Sequence, residues 1–241
     1  MANHALLLKQ LARQNYPSVD PPANLHLIDA VDVDEFLAVA TAKLDRAEQS
    51  EILVRAIQFQ LGSASSDLEI SFISLYAALE SVLTFFRRQD EFEIFSAAEF
   101  SELERDLRKW LKQNPLLAND SVKRGLIYEK IRELNRFPFS HVFKTFCEHY
   151  SLDLTDLWPL LRTGAEWPLM EIRHRLVHGD PFRSRPVAAL ACARVHLAWV
   201  VERMLLCVLG WPIARSNVSS EYLQSHSNEH QTWQAARAMF A

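Results

Sequence analysis

The stretch Glu171-Ile-Arg-His-Arg-Leu-Val-His-Gly-Asp180 gathers an acid, two arginines and two histidines into ten residues and stops at a glycine. Leu169, Ile172 and Leu176 recur at spacings of three and four, the period of a helix with one apolar side. Gly179 stands where such a helix would end, because glycine enters the left-handed cap conformation without steric cost, and Pro181 prevents continuation. The spacing therefore predicts a helix buried along one side, with polar chemistry along the other.

Working outward, the same period returns in both directions. Val187 to Trp211 is the most apolar stretch of the chain, yet it contains Arg194, His196, Glu202 and Arg203. That content predicts a buried core helix rather than a membrane span. Ser184 can cap it, with Pro186 in its first turn. Upstream, Asp67 to Arg88 is apolar almost all round (Ile70, Ile73, Leu75, Leu79, Val82, Leu83, Phe85, Phe86), which implies burial on more than one side. Glu80 sits inside that run. It is either a surface glutamate on a narrow polar face or a buried acid that needs a cationic partner.

Farther out, residues 2 to 14 suit a short helix through Leu6, Leu7, Leu8 and Leu11, followed by an exposed connection at Tyr16–Pro22. Val33 to Leu61 reads as one long helix or two consecutive ones. Ser96-Ala-Ala-Glu99 fits a capping box and starts a helix reaching about Lys112. Asp120 or Ser121 starts another, reaching about Arg136, which is the most basic of the chain: Lys123, Arg124, Lys130, Arg132 and Arg136 against Glu129 and Glu133. His141–Tyr150 and Thr155–Arg162 read as two short helices. The tail from Ile213 is polar, with a weak helix near Thr232 to Phe240.

Composition agrees with an all-α fold. Five glycines in 241 residues are too few for the turns of a sandwich or a doubly wound sheet. No Gly-rich phosphate loop is present, which argues against P-loop and dinucleotide-binding folds. A formal charge of −4 exerts no global pull on nucleic acid, so any such binding needs a local basic patch. Cys147, Cys192 and Cys207 are widely spaced, odd in number and set in apolar surroundings. They are expected to be reduced, buried residues of a cytoplasmic protein. The N-terminus has no basic-then-apolar signal pattern.

Four readings of Arg173 to His178 compete. In the first, the side chains only satisfy each other and the helix end: Glu171 pairs with Arg175 one turn on, and a protonated His178 suits the helix C-terminus. In the second, His174 and His178, four apart on one face, bind a metal. That reading lacks a third ligand and a His-Glu-x-x-His pattern, and Arg175 repels a cation. The third makes His178 the activator of a serine or cysteine, but no Gly-x-Ser-x-Gly elbow and no cysteine lies near. The fourth is metal-independent cleavage of a phosphodiester. RNA carries its own nucleophile, the 2′-hydroxyl; histidine titrates near neutrality and can move the proton, and arginine holds the crowded phosphate. Five residues of helix turn through about 140°. Arg173 and His178 therefore converge only through an irregular last turn, or through a second copy of the helix across a twofold axis.

Arg173-His-Arg-Leu-Val-His178, followed by Gly179, resembles the R-x4–6-H motif of HEPN domains (higher eukaryotes and prokaryotes nucleotide-binding). The upstream Leu75-Tyr-Ala-Ala-Leu-Glu-Ser-Val-Leu83 is similar to that family's early core helix, and the long apolar helix after the motif follows in the expected order. The resemblance covers about residues 66 to 211. It implies a HEPN-like helical bundle at 66–211; outside it lie an N-terminal helical extension at 1–65 and a polar C-terminal tail at 212–241. It further implies a homodimer whose two motifs line one cleft, and a metal-independent endoribonuclease of toxin–antitoxin, antiviral (antiphage) defence or RNA-processing systems. Such an enzyme needs no cofactor and leaves a 2′,3′-cyclic phosphate and a 5′-hydroxyl. By position, Arg173 would contact the phosphate, His178 would be the catalytic histidine, His174 the auxiliary polar residue, and Glu80 the acid that holds the arginine. The implied partners are RNA, a second copy and a cognate antitoxin or regulatory protein, with no membrane. The family also contains non-catalytic modules that bind a partner protein or nucleotide, and that is the alternative reading.

Overall fold

Apolar periodicity becomes helix along the chain. The computed structural model describes residues 2–13, 26–64, 66–87, 93–162, 167–179 and 187–240. Among them the regular structure is α1 (Ala2–Ala12), α2 (Val33–Arg46), α3 (Ser50–Ser63), α4 (Leu68–Phe86), α5 (Ala97–Gln113), α6 (Ser121–Ile131), α7 (Phe139–Tyr150), α8 (Leu169–His178), α9 (Val187–Leu209), α10 (Ser220–His226) and α11 (Asn228–Ala238). An isolated antiparallel bridge, Glu93 to Arg136, is the only extended pairing among the described residues. The protein is all-α. The connection Tyr16–Pro22, the stop at Pro181, and the Ser184 and Pro186 start of α9 lie outside the described residues.

Local chemistry sets the helix ends. Val33–Leu61 resolves into two helices because Gln49, at φ 60°, takes the left-handed conformation between them. At Ser96 both halves of the capping box form: Oγ accepts from the Glu99 N–H at 3.4 Å, and the Ser96 N–H donates to Glu99 Oε2 at 2.9 Å. The Asp120 carboxylate caps α6 by accepting from the Lys123 N–H at 2.9 Å. The basic helix is shorter than its charge pattern suggests, because Arg132–Asn135 tightens into a 3₁₀ turn. Asn135 closes that turn by pairing its side-chain amide with both backbone groups of Phe95.

The chain forms two compact units, 1–86 with 146–241, and 87–145. In the smaller unit α5 packs on α6 around Phe100, Leu111 and Ile131, supported by Leu107, Leu117 and Tyr128. In the larger unit α3 lies along α4, and α4 along α9; α1 rests on α2 and α3, and α11 covers α9. Residues 1–65 thus help enclose the same core as the later helices. By length and composition α4 could cross a membrane, but its Phe72, Leu75, Leu79 and Val82 are fully buried inside the unit.

Helix α9 is buried from Ala189 to Leu209 with few gaps, including its four polar residues. Each of these has an identifiable partner. Gln60 Nε2 donates to Glu202 Oε1 at 2.7 Å, and Arg194 Nε to Ser71 Oγ at 2.8 Å. Arg203, whose side chain is 2% exposed, forks onto Asp156 at 2.6 and 2.7 Å and donates through Nε to the Val218 carbonyl at 2.6 Å. His230 Nε2 lies 3.1 Å from the same carboxylate. Burial alone would raise the Asp156 pKa; its bonds to Arg203 and the charge there outweigh that and hold it below the usual carboxylate value. His196 accepts from the Trp158 N–H at Nδ1 (3.1 Å), so its proton sits on Nε2 and donates to the Glu229 carbonyl at 3.1 Å.

These bonds explain why Thr155–Arg162 is not the helix its sequence suggests. The Asp153 carboxylate takes the Thr155 N–H at 2.8 Å, His196 takes the Trp158 N–H, and the Pro159 and Leu160 carbonyls accept from Leu169 and Met170. Backbone groups that a helix would use internally are committed to other elements, and the segment forms turns.

Asp156→Ala strands a buried guanidinium and is expected to cost roughly 3–5 kcal/mol in denaturant unfolding. Acid should destabilise the chain in two stages. Burial pushes the His196 pKa down to about 4 from 6.5. Between those values the unfolded chain binds the extra proton, so this contribution is complete above pH 6.5. It is lost as the pH falls toward 4, by about 3 kcal/mol. Asp156, with its lowered pKa, is protonated later, below its ordinary 3.8. Urea midpoints measured from pH 7 to pH 3 check both stages.

Candidate functional site

Helix α8 has ten residues and buries only Leu169 and Ile172, so its own apolar face holds it weakly. Its ends are fixed instead. The Leu169 and Met170 amides, orphan donors of a first turn, reach the Pro159 and Leu160 carbonyls at 3.0 and 3.2 Å. At the other end Gly179 adopts φ 68°, ψ 20°, and its N–H returns to the Arg175 carbonyl. The expected cap is therefore present.

The five polar residues of α8 do not leave it on one side. Arg173 turns toward α4: its guanidinium carbon is 5.2 Å from the centre of the Tyr76 ring, and Nη2 is 3.8 Å from Glu80 Oε1. The two partners are 33% and 48% exposed, so Glu80 is the surface glutamate of the two alternatives, and it also meets a cation. At 3.8 Å the contact is an ion pair without a hydrogen bond, orienting more than stabilising. Tyr76 is buried; desolvation, with the Glu80 charge adding and Arg173 opposing, drives its phenol pKa far above the ordinary value and keeps it neutral.

His174 and His178 are exposed and share the face their spacing implies, with ring centres 4.3 Å apart. They supply two nitrogen-bearing rings; among the described residues no group of three or more His, Cys, Asp or Glu side chains is placed to hold a metal ion. Arg175 lies 4.5 Å over the Trp167 ring, with Nε 3.5 Å from Glu171 Oε1. Trp167 in turn stacks on Phe240 at 5.7 Å, and its carbonyl accepts from Trp158 Nε1 at 2.8 Å.

The structure brings Arg173 to Glu80, and His178 to His174, but within one chain it sends the two pairs to different sides of α8. That is the divergence the five-residue spacing implies. Two neighbours were not singled out from sequence. Tyr76 could have been found, since it lies one turn before Glu80 on α4; Trp167 could not, because only the fold carries it under Arg175. The three cysteines are free, and burial raises their pKa values to about 11 for Cys147, about 12 for Cys192 and about 11 for Cys207, so they remain thiols. Against known proteins the chain matches no family model, no curated protein and no solved structure.

A Cβ at Gly179 would meet no atom within 4 Å, so only backbone strain opposes a side chain there. Gly179→Ala should lower stability by about 1 kcal/mol and fray the turn that carries His178. Thermal melts, with amide exchange at residues 175–179, check this; an unchanged exchange rate would remove the glycine from the account of the site.

Proposed function

We propose that the protein is a HEPN-type, metal-independent endoribonuclease that works as a homodimer. The observation that carries the reading is Arg173, oriented by Tyr76 and Glu80 on α4, on the same capped helix as an exposed His178. An arginine that is oriented but one-third exposed can still reach an outside phosphate, whereas a fully paired buried one could not. In this reading Arg173 binds the scissile phosphate and stabilises its extra charge. His178 moves the proton between the 2′-hydroxyl and the leaving 5′-oxygen, and His174, its ring tilted against that of His178, orients it. The products are a 2′,3′-cyclic phosphate and a 5′-hydroxyl.

A second copy supplies what one lacks. Ile70 and Ile73 on α4, and Val177 on α8, are exposed large apolar residues. A twofold contact that involves α4 and α8 of both copies would cover apolar surface and set the Arg173 of one protomer near the His178 of its partner. The same separation of Arg173 from His178 within one chain favours the second reading, a non-catalytic HEPN module that binds a partner protein or nucleotide. Toxin–antitoxin, antiviral and RNA-processing roles all suit the first reading, with a cognate antitoxin or regulatory protein as partner and the cytoplasm as location.

Purified protein incubated with total RNA in EDTA is expected to cleave it, and Arg173→Ala and His178→Ala each to lose at least about a hundredfold of that rate. RNA left intact by wild type and both variants across pH 5–9 would leave the binding module as the standing reading.

A further inference from the structure

Beyond the Arg173 site, the larger unit contains a groove of about 940 Å³, within the range of roughly 300–1,000 Å³ that small-molecule sites occupy. Its walls come from the end of α3, the start of α4, the first turns of α9, and α11. They are mostly aliphatic and small: Leu68, Ala188, Ala191, Val195, Ala236 and Met239. Arg194 also lines the groove and is only 9% exposed. Two serines hold its guanidinium in place: Nε donates to Ser71 Oγ at 2.8 Å, and Nη2 to Ser63 Oγ at 3.4 Å. Ser63 Oγ spends its own proton on the Gln60 carbonyl at 2.7 Å, so it can only accept from the arginine.

Two further features set the sign of the groove. Leu68 begins α4 and Ala188 lies in the first turn of α9, so the positive ends of two long helices open onto it. Glu229 also lines the groove, its carboxylate accepting from Ser227 Oγ at 3.0 Å. The Glu229 carboxylate disfavours a head group the more charges that group carries. A single anionic head beside Arg194 remains favourable, and the aliphatic walls then cover a short apolar tail. We infer that this groove is a binding site for a small amphiphile with one anionic head group and an aliphatic tail. The site is independent of Arg173 and His178.

Titration calorimetry on the intact chain with octanoate as probe tests this, alongside octyl phosphate, 1-octanol and octylammonium. One saturable octanoate site per chain is expected, at least tenfold tighter than for octanol or octylammonium. Comparable binding of octyl phosphate would assign the head group as any single anion; preference for octanoate would narrow it to carboxylates. Arg194→Gln should abolish the preference for the anion. Should that variant fail to fold, Ala235→Trp, at an exposed position on the groove lining, should weaken octanoate at least tenfold with an unchanged melting temperature. Arg173→Ala should leave it unchanged. No saturable binding, equal binding of octanol, or full affinity in Ala235→Trp would each overturn the inference.

Discussion

The fork of Arg203 on the Asp156 carboxylate is the contact on which the larger unit depends. Taking both charges out of water is costly, and the pair holds only because each partner is satisfied on several sides. Arg203 also reaches the Val218 and Asp153 carbonyls, and Asp156 also meets His230. One residue of α9 therefore ties down the 153–156 turn, the segment before α10 and the first turn of α11. The contribution is one of uniqueness more than of raw stability: an apolar core would tolerate several packings of these segments, whereas a two-pronged charged contact accepts one.

From that anchor, order passes outward to α8. Two residues beyond Asp156, Trp158 binds His196 through its backbone and the Trp167 carbonyl through its indole. The next two carbonyls cap the start of α8. A ten-residue helix with two buried side chains is too short and too polar to hold itself in place. It is held by its ends and by the stacking of Arg175 on Trp167, leaving Arg173, His174 and His178 able to face outward. A surface built for chemistry costs packing, and the position of α8 is fixed instead through the contacts that run outward from the buried ions of α9.

Much of this was legible in the sequence, for reasons that can be stated residue by residue. Helices with a strong apolar period or a side-chain cap, such as α4 and α5, follow from local rules, and so do the end of α8 at Gly179 and the divergence of Arg173 from His178. The ion pair between Glu80 and Arg173 was legible as a residue choice, while the sequence left open whether Glu80 is exposed or buried. What failed was non-local. Thr155–Arg162 has helical composition but yields its backbone to His196 and α8. In the tail after 212 the weak helix read near Thr232 to Phe240 is α11, docked on α9; what was not legible is α10 and the meeting of His230 with a carboxylate seventy-four residues away. The groove around Arg194 is invisible in sequence, since its lining comes from four separated helices.

The central claim is that one copy of the Arg173–His178 pair is incomplete and that two copies compose the working site. Mixing inactive Arg173→Ala and His178→Ala chains under conditions that exchange subunits tests it most directly. Half of the randomly assorted dimers would carry one intact pair, so RNA cleavage should return to about a quarter of the wild-type rate. A mixture that exchanges subunits yet stays as inactive as either variant alone would contradict the account.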